Sequence, residues 1–264
     1  MATTTRSGIS IFYREIGEGD PILFIQGLEV DNRGWATIVP AFRDRYRCIS
    51  LDNRDIGQSE FVPAGYTIGD MARDAVAVLD EAGVESAHVV GFSMGGAIAQ
   101  ELAITRPERV KKLVLIGTFP WLDERLKAAN RSRIKVRGQL SVEDYTRANF
   151  PNVYTSRDYD QPGLIEGIIE RVVANAAGAQ PNDAFTRQSD AIRDYDSRER
   201  LMGIRAETLV ICGDQDYLCP PWQSRLIASS IPGAKLEFVE DAGHGVVFTR
   251  GGDVSRLIGT FLES

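Results

Sequence analysis

Histidine and cysteine are scarce in this sequence. Its 264 residues include two histidines and three cysteines, and the cysteines, at positions 48, 212 and 219, form no CxxC pair. An odd, low cysteine count is typical of reduced thiols in a cytosolic protein. Two distant histidines and unpaired cysteines do not build a usual zinc site, and no phosphate-binding glycine loop is present. We therefore expect neither a metal nor a cofactor.

Long apolar runs and an excess of positive charge are also lacking. The first residues, MATTTRSG, contain no apolar run typical of a signal peptide, and no segment reaches the roughly 18 apolar residues of a membrane helix. The net charge of −7 argues against a nucleic-acid partner. We expect a cytoplasmic protein without membrane contact, and a homo-oligomer stays open. The basic stretch Arg131–Arg137 is interpreted as a solvated helix face.

Short apolar runs alternate with helical patterns in the first half of the chain. Continuous apolarity is typical of parallel strands that are covered on both faces. We predict buried strands at Ile22–Ile25, Cys48–Leu51, His88–Val90 and Leu113–Ile116, and the strand pattern resumes later at Thr208–Ile211 and Leu236–Val239. A helical apolar face from Met71 to Ala82 ends at Gly83. The pattern predicts an α/β fold with a mainly parallel sheet and helices on both faces. The hairpin-like segment from Ile9 to Asp20 is expected to supply antiparallel edge strands.

The stretch 121–205 differs from the rest because helical periodicity dominates and no strand-like run occurs. We predict helices at Leu122–Arg137, Val142–Asn149 and Asp183–Tyr195, and a double apolar stripe from Leu164 to Val173. The interpretation is a helical cap at 121–205, inserted between two parts of one α/β core, 1–120 and 206–264.

The segment VVGFSMGGA, Val89–Ala97, passes from a predicted strand into a predicted helix. Its pattern G-x-S-x-G places Ser93 in a tight turn between Gly91 and Gly95. Such a turn projects the hydroxyl above the carboxyl end of the sheet, where open α/β folds bind ligands. The helix that follows presents free N–H groups to an anion. Ser93 is therefore a candidate nucleophile.

A serine nucleophile needs a base, and histidine is the usual one. His88 lies inside the strand that leads to Ser93, so we assign it to the sheet. His244 lies in a glycine-flanked loop after the last predicted strand, at the same carboxyl edge as Ser93. The histidine in turn needs a carboxylate to orient it. Asp214 and Asp216 both follow the strand Thr208–Ile211, and Asp123 is a more distant candidate.

Serine, acid and histidine in this chain order resemble the α/β-hydrolase fold superfamily, in its serine-nucleophile members. The resemblance implies a sheet of about eight strands with an inserted cap. It also implies that Asp216, the last residue of a Gly-x-x-Asp pattern, is the acid, with Asp214 bracing the loop. The oxyanion would be bound by the backbone N–H groups of Met94 and Leu28.

The sequence departs from the family pattern at two places. Relatives usually carry His-Gly-x after the strand Ile22–Ile25, where this chain has Gln26-Gly27-Leu28. Relatives also carry glycine at the position of Asp55, in LDNRDIGQSE. Within that segment, Asp52 and Ser59 are interpreted as bracing groups. The sequence of the segment is similar to that of enol-lactonases and methylesterases. A serine at the turn excludes the aspartate chemistry of dehalogenases and epoxide hydrolases of this fold.

These features predict a cofactor-free serine hydrolase that cleaves a small-to-medium, largely apolar ester or lactone through an acyl-enzyme. Phe92, Phe119, Trp121 and Trp222 are candidate pocket walls, and core packing is the alternative for each. Cys219 either reaches the rim of the site or is a buried, inert thiol. Two other functions remain open: hydrolysis or lysis of a C–C bond by the same residues, and a non-enzymatic small-molecule receptor.

Overall fold

One eight-stranded sheet organises the protein. The computed structural model describes residues 2–5, 8–175 and 178–264. The strands are β1 (Ala2–Thr4), β2 (Ile11–Ile16), β3 (Asp20–Ile25), β4 (Tyr46–Leu51), β5 (Ala87–Phe92), β6 (Val110–Ile116), β7 (Glu207–Gly213) and β8 (Lys235–Val239). Their spatial order is β1-β2-β4-β3-β5-β6-β7-β8. All six predicted strands are present, each within longer bounds, and β8 is a partly exposed edge strand.

The sheet is parallel from β4 to β8 along its spatial order, and antiparallel at β1 and β2. The predicted α/β fold class is confirmed. The segment from residue 9 to 20 supplies the antiparallel strand β2, as expected, but it does not fold back on itself as a hairpin. After β2 the chain crosses to the far side of β4, where β3 pairs in parallel, and β1 at residues 2–4 provides the edge instead.

Helices cover both faces of the sheet. They are α1 (Ile68–Glu81), α2 (Met94–Thr105), α3 (Glu124–Arg137), α4 (Val142–Asn149), α5 (Ser156–Tyr159), α6 (Leu164–Ala174), α7 (Asn182–Arg193), α8 (Pro221–Ser230), α9 (Val246–Thr249) and α10 (Gly251–Glu263). Helix α1 begins with a capping box between Thr67 and Asp70 and is followed by Gly83 with φ of 67°. The predicted end of this helix at Gly83 agrees with the structure.

Alternate residues of β3 belong to two different apolar clusters. Ile22 and Phe24 pack with residues of α10, whereas Leu23 and Ile25 pack with residues of α1 and α2. All four side chains are fully buried. Because both faces of the strand are covered, neither face tolerates polar residues, and this explains the unbroken apolar run in the sequence.

Helices α3 to α7 follow β6 and precede β7, in the stretch where the cap is predicted. Helix α3 starts two residues later than expected because Asp123 caps it, accepting a 2.8 Å hydrogen bond from the Leu126 N–H. The four-residue helix α5 was not expected from the sequence. Helix α4 has the predicted bounds, whereas α7 covers Asn182–Arg193 rather than Asp183–Tyr195.

The basic stretch at the end of α3 is not a fully solvated face, so that interpretation is wrong for two of its residues. The side chains of Arg133 and Arg137 are only 24% and 11% exposed, and both pair with Glu29 of the sheet domain. Sequence alone shows a run of positive charge, and the carboxylate that neutralises it comes from a distant loop.

Among the helices of the described residues, none combines the length and apolarity needed to cross a membrane.

Candidate active site

Ser93 occupies the sharp turn between β5 and α2. Its backbone has φ of 54° and ψ of −118°, a conformation that a residue with a side chain rarely adopts. The neighbouring glycines allow it: a Cβ at Gly95 would lie 2.0 Å from the Ile25 carbonyl oxygen, and one at Gly91 would lie 2.3 Å from the Gly95 carbonyl oxygen. The strand and the helix therefore approach too closely for any residue but glycine.

Three loops at the carboxyl edge of the sheet bring a hydroxyl, an imidazole and a carboxylate into contact. Ser93 follows β5, Asp216 follows β7, and His244 follows β8. The His244 Nε2 atom lies 3.0 Å from Ser93 Oγ, and its Nδ1 atom lies 2.9 Å from Asp216 Oδ2. Both distances are those of hydrogen bonds. The three sequence candidates thus form one continuous line.

Along this hydrogen-bonded line, Asp216 and His244 are shielded from water, whereas Ser93 is more accessible. Asp216 is 3% exposed and His244 is 8% exposed, whereas Ser93 is half-buried. The second carboxylate oxygen, Asp216 Oδ1, accepts a 2.7 Å hydrogen bond from the Cys219 N–H. The Phe92 ring packs against the imidazole of His244 with centroids 5.0 Å apart. These contacts hold the acid and the imidazole in one orientation.

The loop after β3 lies directly against Ser93. A Cβ at Gly27 would lie 3.1 Å from Ser93 Cβ. Among the described residues, the backbone N–H groups of Leu28 and Met94 donate no hydrogen bond to the protein. Met94 is the first residue of α2, where backbone N–H groups have no partner within the helix. Both groups remain available to an oxyanion.

Gln26 stands where relatives carry histidine, and it stabilises the same loop. Its Oε1 atom accepts a 3.1 Å hydrogen bond from the Gly27 N–H, and its carbonyl oxygen accepts one of 2.9 Å from Asn53 Nδ2. Gln26 is fully buried. The departure from the family pattern therefore keeps the loop hydrogen-bonded.

The other candidate acids have structural contacts. Asp214 Oδ1 accepts a 3.2 Å hydrogen bond from the Ala242 N–H, which ties its loop to the His244 loop. Asp123 caps α3. His88 lies within β5, where its Nε2 atom is 3.0 Å from Asp20 Oδ2. Burial lowers the pKa of His88, and the Asp20 carboxylate opposes that shift.

Asp52 and Ser59 both hold the loop after β4. Asp52 accepts hydrogen bonds from the backbone N–H groups of Asn32, at 2.7 Å, and Gln58, at 2.9 Å. The Ser59 hydroxyl donates to the Asp52 carbonyl oxygen at 2.6 Å. Burial raises the pKa of Asp52, and the donated hydrogen bonds offset part of that rise.

The four candidate wall residues have different surroundings. Phe92 contacts His244, and Phe119 is buried in the core cluster that includes α2. Trp121 and Trp222 pack edge-on against each other with centroids 5.4 Å apart, and Trp222 is 40% exposed. A cavity of about 590 Å³ is lined by Trp121 together with Leu122 and Tyr195, and Ser93 does not line it.

Cys219 is buried beside Ser93, His244 and Asp216 and is not exposed at the rim of the site. Its Sγ atom and ligand atoms of Asp216 and His244 lie within 4.8 Å of one another. Burial raises the pKa of the Cys219 thiol well above its ordinary value, and Asp216 adds to the rise. A metal would need a thiolate and a free imidazole nitrogen. Here the thiol is neutral and both nitrogens of His244 are engaged, so these residues fit a metal poorly.

One relative and one family model establish the family. The chain is 32% identical over 235 residues to RutD of Azorhizobium caulinodans, whose name describes a carbamate hydrolase, with 89% of this chain and 88% of the relative covered. Residues 20–132 also match the alpha/beta hydrolase fold family. The chain belongs to the α/β-hydrolase fold family. It is thus a member of a family of hydrolytic enzymes.

Other members differ in what their names describe. BpoC of Mycobacterium tuberculosis, named as a non-heme bromoperoxidase, is 30% identical over 261 residues, covering 97% of this chain and 98% of the relative. The crystal structure of the enol-lactonase of Burkholderia xenovorans superimposes with a TM-score of 0.89 at 24% identity and covers both chains completely. At that identity the likeness concerns the fold alone.

One residue beside the site, Glu29, was not predicted from the sequence. Glu29 directly follows Leu28, and its carboxylate contacts Arg133, Arg137 and Tyr145 of the helical segment α3–α7. No local pattern marks it, because its partners lie more than a hundred residues away. A signal would have been its place next to the predicted oxyanion donor.

Proposed function

We propose that this α/β-hydrolase is a cofactor-free serine hydrolase of carboxylic esters or lactones, with Ser93, His244 and Asp216 as its catalytic triad. The observation that carries the proposal is the unbroken line of hydrogen-bond distances, 3.0 Å and 2.9 Å, from Ser93 Oγ through His244 to Asp216. Nucleophile, base and orienting acid are thereby supplied by side chains of the chain itself.

The contacts define the proton path of the reaction. With the Nδ1 proton donated to Asp216, the Nε2 atom of His244 is free to accept the Ser93 proton as Oγ attacks the carbonyl carbon. Leu28 and Met94 N–H groups then bind the oxyanion. His244 returns the proton to the leaving alcohol, and an acyl-Ser93 ester forms. Water, deprotonated by His244, releases the acid in the second half of the cycle.

Asp216 stabilises the protonated imidazole that exists at both transition states. Its burial at 3% exposure strengthens this interaction, because no water competes for the carboxylate. The Cys219 N–H fixes the second oxygen, so that Oδ2 stays directed at His244. The role of Asp216 in this account is therefore both orientation and charge stabilisation.

A small or medium, largely apolar acyl group suits the surroundings of Ser93. Phe92 packs against the His244 imidazole, and we propose that helices α3–α7, which follow β6 in the chain, act as the cap over this site. A carbamate is a second candidate substrate, favoured by the name of the 32% identical relative. Its carbonyl could be attacked by the same serine and stabilised by the same N–H groups.

An activity screen tests the substrate. Aryl esters of graded acyl length, lactones of graded ring size and aryl carbamates are compared, with Ser93→Ala as the blank. We expect hydrolysis of esters or lactones that is absent from the blank. Hydrolysis confined to carbamates would replace the first candidate by the second. Equal rates for wild type and Ser93→Ala across the panel would refute the triad.

A further inference from the structure

Glu29 is held in an unusual backbone conformation immediately after Leu28. Its φ is 66°, in the left-handed region that disfavours residues with side chains. Such a conformation persists only where surrounding contacts maintain it. The contacts of Glu29 are therefore expected to affect the preceding residue, whose N–H group is assigned to the oxyanion.

Both carboxylate oxygens of Glu29 are engaged by the helical segment. Oε1 accepts a 2.7 Å hydrogen bond from Arg137 Nε, and Oε2 accepts bonds of 3.0 Å from Arg133 Nη2 and 3.1 Å from the Tyr145 hydroxyl. Glu29 is 21% exposed and Arg137 is 11% exposed, so solvent screens this pair little.

Arg137 is itself a fixed anchor. Its Nη2 atom donates a 2.7 Å hydrogen bond to the Gln180 carbonyl oxygen, and its guanidinium lies 4.8 Å from the Phe185 ring centroid. Helix α3, which carries Arg133 and Arg137, has Leu126 as its buried residue. Apolar packing of α3 is thus sparse, and the charged contacts with Glu29 connect it to the loop beside Ser93.

We propose that Glu29 is a positioning residue that directs the Leu28 N–H towards the oxyanion by fixing its turn to Arg133 and Arg137. The inference rests on the proposed function, because Glu29 acts only through the oxyanion donor. Glu29 touches neither Ser93 nor the substrate in this scheme. Its effect belongs to the step in which charge develops on the carbonyl oxygen.

A second acidic residue provides a matched control. Asp55 also has a left-handed backbone, with φ of 69°. Its Oδ2 atom also accepts a hydrogen bond from an arginine of the helical segment, at 2.8 Å from Arg187 Nε. Asp55 lies in the loop after β4 and is not adjacent to an oxyanion donor. The two residues share conformation and partner type but differ in their distance along the chain from Leu28.

The test compares Glu29→Gln with Asp55→Asn in the full-length protein. The amide at position 29 replaces one acceptor oxygen by an NH₂ group, which cannot accept from arginine. We expect kcat to fall about tenfold to a hundredfold while KM changes little, since losing an oxyanion donor outright costs about 10²–10³ in kcat. Asp55→Asn should lower the melting temperature and leave kcat near that of wild type.

Inhibitor binding separates positioning from a general structural role. A trifluoromethyl ketone adds to Ser93 and places a negative oxygen in the oxyanion site, so Glu29→Gln should weaken its binding as much as it lowers kcat. A non-reactive amide analogue of the substrate should bind both proteins equally. Arg137→Gln removes the same contact from its α3 side. Its effect on kcat and on ketone binding should therefore not add to that of Glu29→Gln.

Three results would overturn the inference. One is a folded Glu29→Gln protein with wild-type kcat and ketone affinity. Another is an equal kcat loss in Asp55→Asn, which would assign the effect to loosening of the helical segment as a whole. If Glu29→Gln does not fold, wild-type kcat in Arg137→Gln is the third. Wild type that neither hydrolyses esters nor binds the ketone would instead refute the proposed function, and the inference with it.

Discussion

The sheet and the helical segment α3–α7 differ in how much apolar packing and how many ion pairs stabilise them. The sheet buries both of its faces, with Ile22 and Phe24 on one side and Leu23 and Ile25 on the other. Within the helical segment, the separate apolar cluster contains three buried residues, Tyr154, Ile165 and Ile169. Charged contacts with two core loops, at Glu29 and Asp55, complement that small cluster.

This difference separates the strands that carry the proposed triad from the helical segment that we propose as the cap. Ser93, Asp216 and His244 all emerge from strands that apolar burial holds in register. Leu126, Ala191 and Ile192 of the helical segment pack into the main core, and the ion pairs at Glu29 and Asp55, which solvent ions can screen, add to that packing. Substitutions in the core should therefore change stability, and substitutions at the charged contacts should loosen one segment.

The largest expected effect lies on the catalytic line and should leave the fold intact. Ser93→Ala, which removes the nucleophile, should lower kcat for the best ester by about 10⁶-fold, and Asp216→Asn, which removes the group that orients His244, by about 10⁴-fold. Steady-state kinetics and thermal melts check this together. A fall in melting temperature that parallels the loss of activity would contradict a specifically catalytic role.

Next in size is a change where the sheet and α2 meet. Gly95→Ala would place a Cβ 2.0 Å from the Ile25 carbonyl oxygen, so the helix must move, at a cost of about 3 kcal/mol in unfolding free energy. Urea unfolding measures the cost. Gly252→Ala in α10 is the control, because a Cβ there meets no atom within 4 Å. If both variants unfold alike, the close approach at Gly95 is not what limits this position.

A smaller effect is expected where α7 meets the core. Asp55→Gly restores the residue common in relatives and relieves the left-handed backbone, but it leaves Arg187 without its buried partner. We expect a loss of about 2 kcal/mol, with faster hydrogen exchange in α7 than in β5. Asp183→Asn is the control, since its carboxylate is 71% exposed and pairs with the same arginine. Uniform exchange changes throughout the chain would show that α7 is not a separate unit.

The smallest expected effect is on the pH dependence of the unfolding free energy, through His88 in β5. Burial lowers the pKa of His88 below its ordinary value of 6.5, so the unfolded chain takes up a proton before the folded one does. Stability from neutral His88 is therefore present above pH 6.5 and is lost as pH falls below it. His88→Gln should flatten the decline in unfolding free energy as pH falls below 6.5. An identical decline in both proteins would exclude His88 as the cause.

Local signals in the sequence predicted the sheet and the catalytic candidates. Apolar runs marked the strands, and Ser93, Asp216 and His244 each follow one of them, so their meeting at one edge follows from parallel topology. The prediction of Asp216 rather than Asp214 as the acid that orients His244 also required the family pattern. The choice has a geometric basis in the structure, where Asp214 contacts Ala242 instead.

The contacts of the helical segment could not be predicted in the same way. Glu29 and Arg133 are separated by 104 positions, and Asp55 and Arg187 by 132. A charged helix face has the same sequence pattern whether it meets water or a buried carboxylate. Asp55 stood out as a departure from the family pattern, but nothing in the sequence identified Arg187 as its ion-pair partner.

Covalent labelling tests the central claim, that His244 activates Ser93 as a nucleophile, most directly. Wild type, Ser93→Ala and His244→Ala are treated with a fluorophosphonate, and adducts are located by peptide mass spectrometry. We predict one adduct, on Ser93, in wild type, none in Ser93→Ala and much slower labelling in His244→Ala. A folded wild-type protein that stays unlabelled, or that labels equally fast without His244, would contradict the account.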